Sequence, residues 1–358
     1  MRLGIDAAFI GQNRSGNEVY TRGIIQGLGR VLDPTRDALL LAGDCRATLE
    51  TIDAGPVPAK AILIHRGLRG EVTLGRALAR AGAQGILASY NAPLGFRGQV
   101  ATVVHDVAYA RVPQTYPTLL RRRLDISVRR SLRISGVIVT VSEFSKAELL
   151  DVYPQARPER VVVAPNGVSP RFRRESINED DIEAVKKRYQ LPAEFVLTVG
   201  NLQPRKNVPR LAEATRRLDV PLVVAGQRLW RSAEVEGKLG AGVTWLGYVA
   251  DEHLPALYAA STVFAYPSLY EGFGLPVIEA MAAGVPVATS NRTGTKEVAG
   301  RAAALFDPES VDSIHDMLGQ VLGSKEARQR LQADGVARAA EFTWDRGALR
   351  IAECFGAV

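Results

Sequence analysis

Short apolar runs alternate with helix-like stretches along all 358 residues of this chain, and that alternation limits the fold most. Leu3–Asp6, Ala38–Leu41, Ile62–Ile64, Ile86–Ala88, Val100–Val104, Val137–Val141 and Val161–Ala164 form one series. Phe195–Val199, Leu222–Ala225, Val243–Leu246, Val263–Ala265, Val287–Ser290 and Ala303–Phe306 form another. Strands separated by helices argue for parallel sheets covered on both faces. Between the series, residues 169–190 are polar and charged, a linker and the opening helix of a second domain. A chain of this length also carries a prior of about two domains.

Composition narrows the class. Hydrophobic residues at 46% and charged residues at 23% describe a soluble globular protein. Cys45 and Cys354 lie far apart and form no metal or redox motif, so free thiols are expected. Met1–Asp6 enters a strand directly, and no apolar run approaches membrane-spanning length. A cytoplasmic location is therefore expected, with peripheral membrane contact left open. The net charge is +7, of which residues 111–133 contribute +6 through seven Arg and one Asp, leaving +1 for the rest. So local a charge argues against a nucleic-acid-binding protein. Arg121, Arg122, Arg123, Arg129, Arg130 and Arg133 share one expected helix with Leu119, Leu120, Leu124 and Ile126. Such a helix can lie on an anionic membrane, or can be the solvated face of a domain.

Residues 270–284, Tyr-Glu-Gly-Phe-Gly-Leu-Pro-Val-Ile-Glu-Ala-Met-Ala-Ala-Gly, concentrate the chemistry. Gly272 and Gly274 permit a sharp bend and close approach to a ligand. Pro276 suits a helix start and Gly284 a helix stop. A helix N-terminus suits a diphosphate, while the carboxylates of Glu271 and Glu279 can accept hydrogen bonds from sugar hydroxyls. A capped surface helix with two acids is the plainer alternative.

This stretch resembles the Glu-x7-Glu signature of family 4 retaining glycosyltransferases. That family has the GT-B architecture of two Rossmann-like domains with parallel sheets facing a central cleft. The similarity extends over nearly the whole chain and leans towards the mannosyltransferase-B-like branch. It implies an N-terminal acceptor-side domain at 1–170 and a nucleotide-sugar-binding domain at 171–342. Residues 343–358 would form a helix crossing back to the first domain. It also implies that Glu271 contacts the transferred sugar and Glu279 the ribose, within a donor-binding loop of Gly272, Phe273, Gly274 and Leu275. Arg205 and Lys206, in the loop after Phe195–Val199, match the pair that stabilises the leaving diphosphate. His105, at the end of Val100–Val104, would lie near the reacting centre. Leu246–Val249 would hold the nucleobase beside Tyr248. Gly16 keeps one glycine of a first-loop Gly-x-Gly pattern, and Glu18 replaces the other. Asn201 stands where some relatives carry Arg, and Lys296 where Pro is frequent. Ser142–Lys146 resembles a Val-Ser-x-Phe-Ser motif, for which helix capping is a sufficient role.

The expected enzyme is a retaining, metal-independent hexosyltransferase without a cofactor. Its donor would be a nucleotide diphosphate sugar, with GDP-mannose first, and its acceptor a saccharide or lipid-linked glycan. The leaving phosphate would help deprotonate the acceptor; a covalent route through Glu271 is the alternative. No Asp-x-Asp ends an apolar strand; Glu179, Asp180, Asp181 and Glu183 fall in the linker, and His65, His105, His253 and His315 are scattered. Hence no metal site is expected. A nucleotide-sugar epimerase or phosphorylase and a non-catalytic sugar-nucleotide sensor are the competing functions. Product analysis without acceptor separates the former, and turnover against binding the latter.

Overall fold

Each strand series builds its own parallel sheet. The structure is a computed structural model that describes residues 1–11, 15–64 and 70–357. His65 and loop residues Gln12–Arg14 therefore lie outside the described residues. The first sheet comprises β1 (Arg2–Asp6), β2 (Ala38–Gly43), β3 (Ala59–Leu63), β4 (Gly85–Ser89), β5 (Gln99–Val103), β6 (Val137–Thr140) and β7 (Val161–Val163). Its order is β3-β2-β1-β4-β5-β6-β7. The second comprises β8 (Val196–Val199), β9 (Leu222–Ala225), β10 (Val243–Gly247), β11 (Val263–Tyr266), β12 (Val287–Ser290) and β13 (Ala304–Phe306), ordered β10-β9-β8-β11-β12-β13. Both sheets begin in the middle and grow outwards in two directions. Strand order thus reverses between β1 and β4, and again between β8 and β11. Ligands of open α/β sheets bind in the crevice outside the strand ends at such a reversal.

The central strands explain why these sequences are strands. β4 is buried at every position, as are β9, β11 and β12, as expected for parallel strands covered by helices. In the second unit, the helix Val208–Arg217 buries Val208, Leu211, Ala212, Ala214 and Thr215. Its apolar members join Val196, Leu222, Val224, Val263 and Ala265 in one core cluster.

Residues 1–110, 118–167 and 343–358 make up the first unit, and residues 111–117 and 168–342 the second. The closing helix, Trp344–Cys354, packs on the helix Ser15–Val31. Gly23 and Gly27 permit it: a Cβ on Gly23 would enter the Trp344 ring, and one on Gly27 would strike the Trp344 carbonyl. Each helix-interior glycine costs about 1 kcal/mol relative to Ala, which the close approach offsets. Segment 111–117 groups with the second unit through specific contacts. The Trp230 indole N–H donates to the Thr115 carbonyl at 3.1 Å, Arg231 donates to the Gln114 carbonyl, and the Tyr116 ring lies 5.5 Å from that of Trp230.

The acidic run after the linker also has a structural role. Asn178 caps the helix Glu179–Tyr189, its side chain accepting from the Asp181 N–H. Glu179, Asp180 and Asp181 then occupy the first turn, where negative charge complements the helix dipole.

Candidate functional site

The second unit gathers its charges where strand order reverses. The chain leaves β8 into Gly200–Asn207, whose residues Pro204–Lys206 form one 3-10 turn. It leaves β11 into Pro267–Gly274. The two loops are tied by their backbones, the Leu269 N–H donating to the Arg205 carbonyl at 2.9 Å. Asn207, buried and in the left-handed region at φ 58°, locks the first loop. Its side-chain amide donates to the Pro267 carbonyl at 3.0 Å and the Pro308 carbonyl at 2.6 Å.

Arg205 and Lys206 both converge on one carboxylate oxygen. Arg205 Nη1 lies 2.7 Å and Lys206 Nζ 2.8 Å from Glu271 Oε1. Arg205 also donates to the Tyr270 carbonyl. Lys206 donates to the Tyr266 hydroxyl and sits 4.9 Å from the centre of that ring. The Glu271 side chain is only 10% exposed, so these contacts occur largely out of water. Burial by itself would raise the Glu271 carboxyl, but Arg205 and Lys206 outweigh it and hold the group down at about 2. Glu271 is thus ionised throughout the working pH range, and the cluster carries a net positive charge. The sequence presents Arg205 and Lys206 as two loop cations; the fold makes them partners of Glu271.

The Glu271 backbone is bracketed as firmly as its side chain. Its N–H donates to Thr293 Oγ1 at 3.3 Å, and its carbonyl accepts from the Gly294 N–H at 2.9 Å. Thr293 is left-handed at φ 64°, and a Cβ on Gly294 would collide with the Gly272 carbonyl. The helix Leu275–Ala282 begins at Gly274, whose φ of 106° is a glycine conformation. No side chain caps this start; Pro276 has no N–H and the Val277 N–H donates to the Gly274 carbonyl at 2.9 Å, so the Leu275 N–H is the first-turn donor left for a ligand. Phe273 turns inward, its ring edge-on to Phe342 at 5.5 Å, so it can offer a donor only its backbone. Leu275 is part-exposed.

Glu279 has the opposite electrostatics. It is 9% exposed, and Oε2 accepts from the Tyr258 hydroxyl at 2.9 Å. Burial pushes its carboxyl up to about 7, only partly offset by the Tyr258 hydrogen bond and the Arg171 charge. Of two carboxylates eight positions apart, Glu271 is therefore fully ionised near neutral pH while Glu279 titrates there. Tyr248 follows Gly247, which has a φ of 69°, and is 50% exposed at the end of β10. Asn201 accepts from the Gln227 N–H at 3.2 Å and so serves the loop itself. Lys296 lies within the helix Thr293–Ala299.

The first unit holds His105 just past β5. Burial pushes its imidazole down to about 4, so it is neutral at physiological pH. The Tyr20 ring meets it edge-on at 4.5 Å and the Tyr90 ring lies 5.3 Å away. Its Nε2 is buried with no hydrogen-bond partner among the described residues. Ser142 caps the following helix, as its residue type requires, and Ser145 Oγ donates to the His105 carbonyl at 2.9 Å. The Ser142–Lys146 motif thus also fixes His105. Gly16 is exposed in the first turn of Ser15–Val31, and a Cβ there would meet nothing within 4 Å. Glu18 accepts from the Gly11 N–H at 3.0 Å and pairs with Arg22, placing a carboxylate at this loop. The Gly11 N–H is thereby engaged by Glu18 rather than offered to a phosphate. Among the described residues, no three His, Cys, Asp or Glu side chains come together.

Comparison with known proteins gives the family. The Glycosyl transferases group 1 family matches residues 180–337, and the Glycosyltransferase Family 4 family matches residues 63–172. The chain is 36% identical over 260 residues to O-antigen chain mannosyltransferase B of Escherichia coli, covering 69% of this chain and 67% of that protein. It belongs to glycosyltransferase family 4. This glycosyltransferase is also 31% identical over 223 residues to the serotype-specific mannosyltransferase WbdA of Escherichia coli. That match covers 59% of this chain but 27% of WbdA, so the similarity spans about a quarter of the longer protein. The Anabaena HepE structure in complex with UDP and glucose has 18% identity and a TM-score of 0.76, each chain covered to 100%, and shares the fold. The two Rossmann-like units are those of the GT-B class, and the activity class is hexosyl transfer. No helix among the described residues is long and apolar enough to cross a membrane.

Proposed function

We propose that this glycosyltransferase moves a mannosyl group, with retention and without a metal, from GDP-mannose to a saccharide or lipid-linked glycan. The observation that carries the proposal is the convergence of Arg205 and Lys206 on Glu271 beside the uncapped helix start at Gly274. Two cations and a helix N-terminus can take up the charge that develops on a leaving diphosphate. Glu271, ionised and oriented from both sides, accepts hydrogen bonds from hydroxyls of the transferred sugar and positions it. Glu279 accepts from the ribose, and Tyr248 flanks the base. The mannosyl assignment rests on the names of the relatives. The departing phosphate oxygen takes the acceptor proton, so no protein nucleophile is required. His105, neutral and buried, positions rather than protonates.

The test is incubation with GDP-mannose or UDP-glucose and a mannoside acceptor, measuring released nucleotide and the anomeric configuration of the product by NMR. GDP release matched by α-linked product is expected. Inverted product would overturn the mechanism, and preference for UDP-glucose would overturn the donor. Since the cluster itself supplies positive charge, activity is expected to survive excess EDTA at unchanged donor concentration. Loss that added Mg²⁺ or Mn²⁺ restores would show that the diphosphate site is wrongly assigned.

We further propose that the acceptor is approached at a membrane through the helix Thr118–Ile134. Leu119 is 81% and Ile126 66% exposed, seven positions apart on one face, among exposed Arg122, Arg123, Arg129 and Arg133. Apolar side chains turned outward among arginines suit the interface of an anionic bilayer. Flotation with phosphatidylglycerol vesicles is expected, falling with salt and lost in Leu119→Asp/Ile126→Asp. Equal binding to neutral and anionic vesicles at low salt would end this proposal.

A further inference from the structure

A second basic site lies at the other end of the first sheet's strands. His105 and Tyr90 follow the C-terminal ends of β5 and β4. By contrast, a cavity of about 230 Å³ opens where β6 and β7 begin, beside Ile138 and Val161. Arg133, Gln155, Arg157 and Arg160 are among its walls. Arg133 comes from the last turn of the helix Thr118–Ile134, and Arg160 from the 3-10 turn Pro158–Arg160, which Arg157 immediately precedes. No carboxylate lines it; Glu159, between two of the arginines in sequence, is not among the walls.

On the helix Thr118–Ile134 some arginines are neutralised, while Arg121, Arg122 and Arg123 make no ion pair among the described residues. Arg129 pairs with Asp125 at 2.8 Å and Arg130 with Glu71 at 3.3 Å. Arg133, Arg157 and Arg160 make no ion pair among the described residues. Three like charges around one small cavity repel each other, and an anion between them would remove that cost. Guanidinium groups present paired N–H donors that match phosphate oxygens, and the Gln155 amide can add another donor. At roughly 30 Å³ per water, the cavity has room for several waters or for one phosphate group with part of its substituent.

We propose that Arg133, Arg157 and Arg160 form a phosphate-binding site for a phosphomonoester or phosphodiester. The phosphate can come from solution or from the headgroup of an anionic lipid. Arg133 stands seven positions from Ile126 on the same helix, so a lipid phosphate would reach the pocket beside the outward apolar face.

The test uses the full chain and its Arg157→Ala/Arg160→Ala variant. An Arg301→Ala/Arg330→Ala variant loses the same charge at exposed positions elsewhere. Inorganic phosphate is titrated calorimetrically at constant ionic strength, and retention on phosphatidylglycerol vesicles is measured by sedimentation. The pocket variant is expected to lose at least fivefold in phosphate affinity while the control stays within twofold. Equal loss in both, or no loss in either, overturns the proposal. If vesicle retention falls with phosphate affinity, the ligand is a lipid headgroup; if only phosphate affinity falls, it is a soluble phosphate. Donor turnover is expected to be unchanged in both variants, so failure here is read separately from failure of mannosyl transfer.

Discussion

Glu271→Gln is expected to lower the rate of sugar transfer by about 10²–10³ while leaving affinity for the nucleoside diphosphate unchanged or higher. The sign of the second effect comes from the ion-pair cluster. In the free chain Arg205 and Lys206 spend their donors on Glu271 Oε1. A neutral amide at that position releases both cations towards a diphosphate. It also removes the carboxylate that both largely buried cations contact, a change that costs roughly 3–5 kcal/mol where a buried pair is broken. The variant should therefore melt lower when free and recover more than the wild type when nucleoside diphosphate is added. Steady-state transfer and a thermal-shift titration measure the two effects. If Glu271→Gln lost nucleotide affinity as severely as Glu279→Gln, the separation of roles would fail.

Glu279→Gln is expected to stabilise the free protein at pH 8 and not at pH 4. Burial raises this carboxyl from 4.5 to about 7 in the folded chain, so the folded state holds the proton more tightly than the unfolded one. Its contribution to stability is fully present below about 4.5 and is lost as pH rises to about 7. At 1.36 kcal/mol per unit, the loss is on the order of 3 kcal/mol. Glutamine does not ionise, so the variant escapes it; denaturant unfolding at the two pH values measures the difference. Nucleotide binding should move the other way. If ribose hydroxyls donate to the ionised carboxylate, affinity rises almost tenfold per unit up to about pH 7 and then levels. The variant should bind more weakly, without this component. Phosphate groups of the nucleotide titrate nearby, so the difference between wild type and variant is the quantity to measure. Identical slopes in the two proteins would remove Glu279 from the ribose site.

The strands and the Glu271–Glu279 segment were legible because their causes are local. Apolar runs bounded by helical stretches make parallel strands wherever they occur, and Gly274 with Pro276 starts a helix irrespective of its surroundings. Arg205 and Lys206 could be placed at a strand mouth on the same grounds. Glu18 and Asn201 marked positions where two loops would differ from the resembled pattern, and the structure shows each holding its own loop together.

Tertiary structure alone decided what those residues touch. Arg205 and Lys206 reach Glu271 because β8 and β11 are adjacent at the reversal of strand order, a neighbour relation no local pattern carries. The turn after β11 folds Glu271 back onto Tyr266, five residues earlier, and helix packing brings Tyr258 to Glu279. These buried hydroxyls look in sequence like ordinary core aromatics. Thr293 and Gly294 bracket Glu271 through a left-handed backbone that β-branched threonine gives no reason to expect. Trp344 seats against Gly23 and Gly27, which in sequence look only like weak helix positions. Chain-local propensity set the elements. Burial, charge pairing and strand order, which exist only once distant segments meet, set Glu271 at about 2 and Glu279 at about 7.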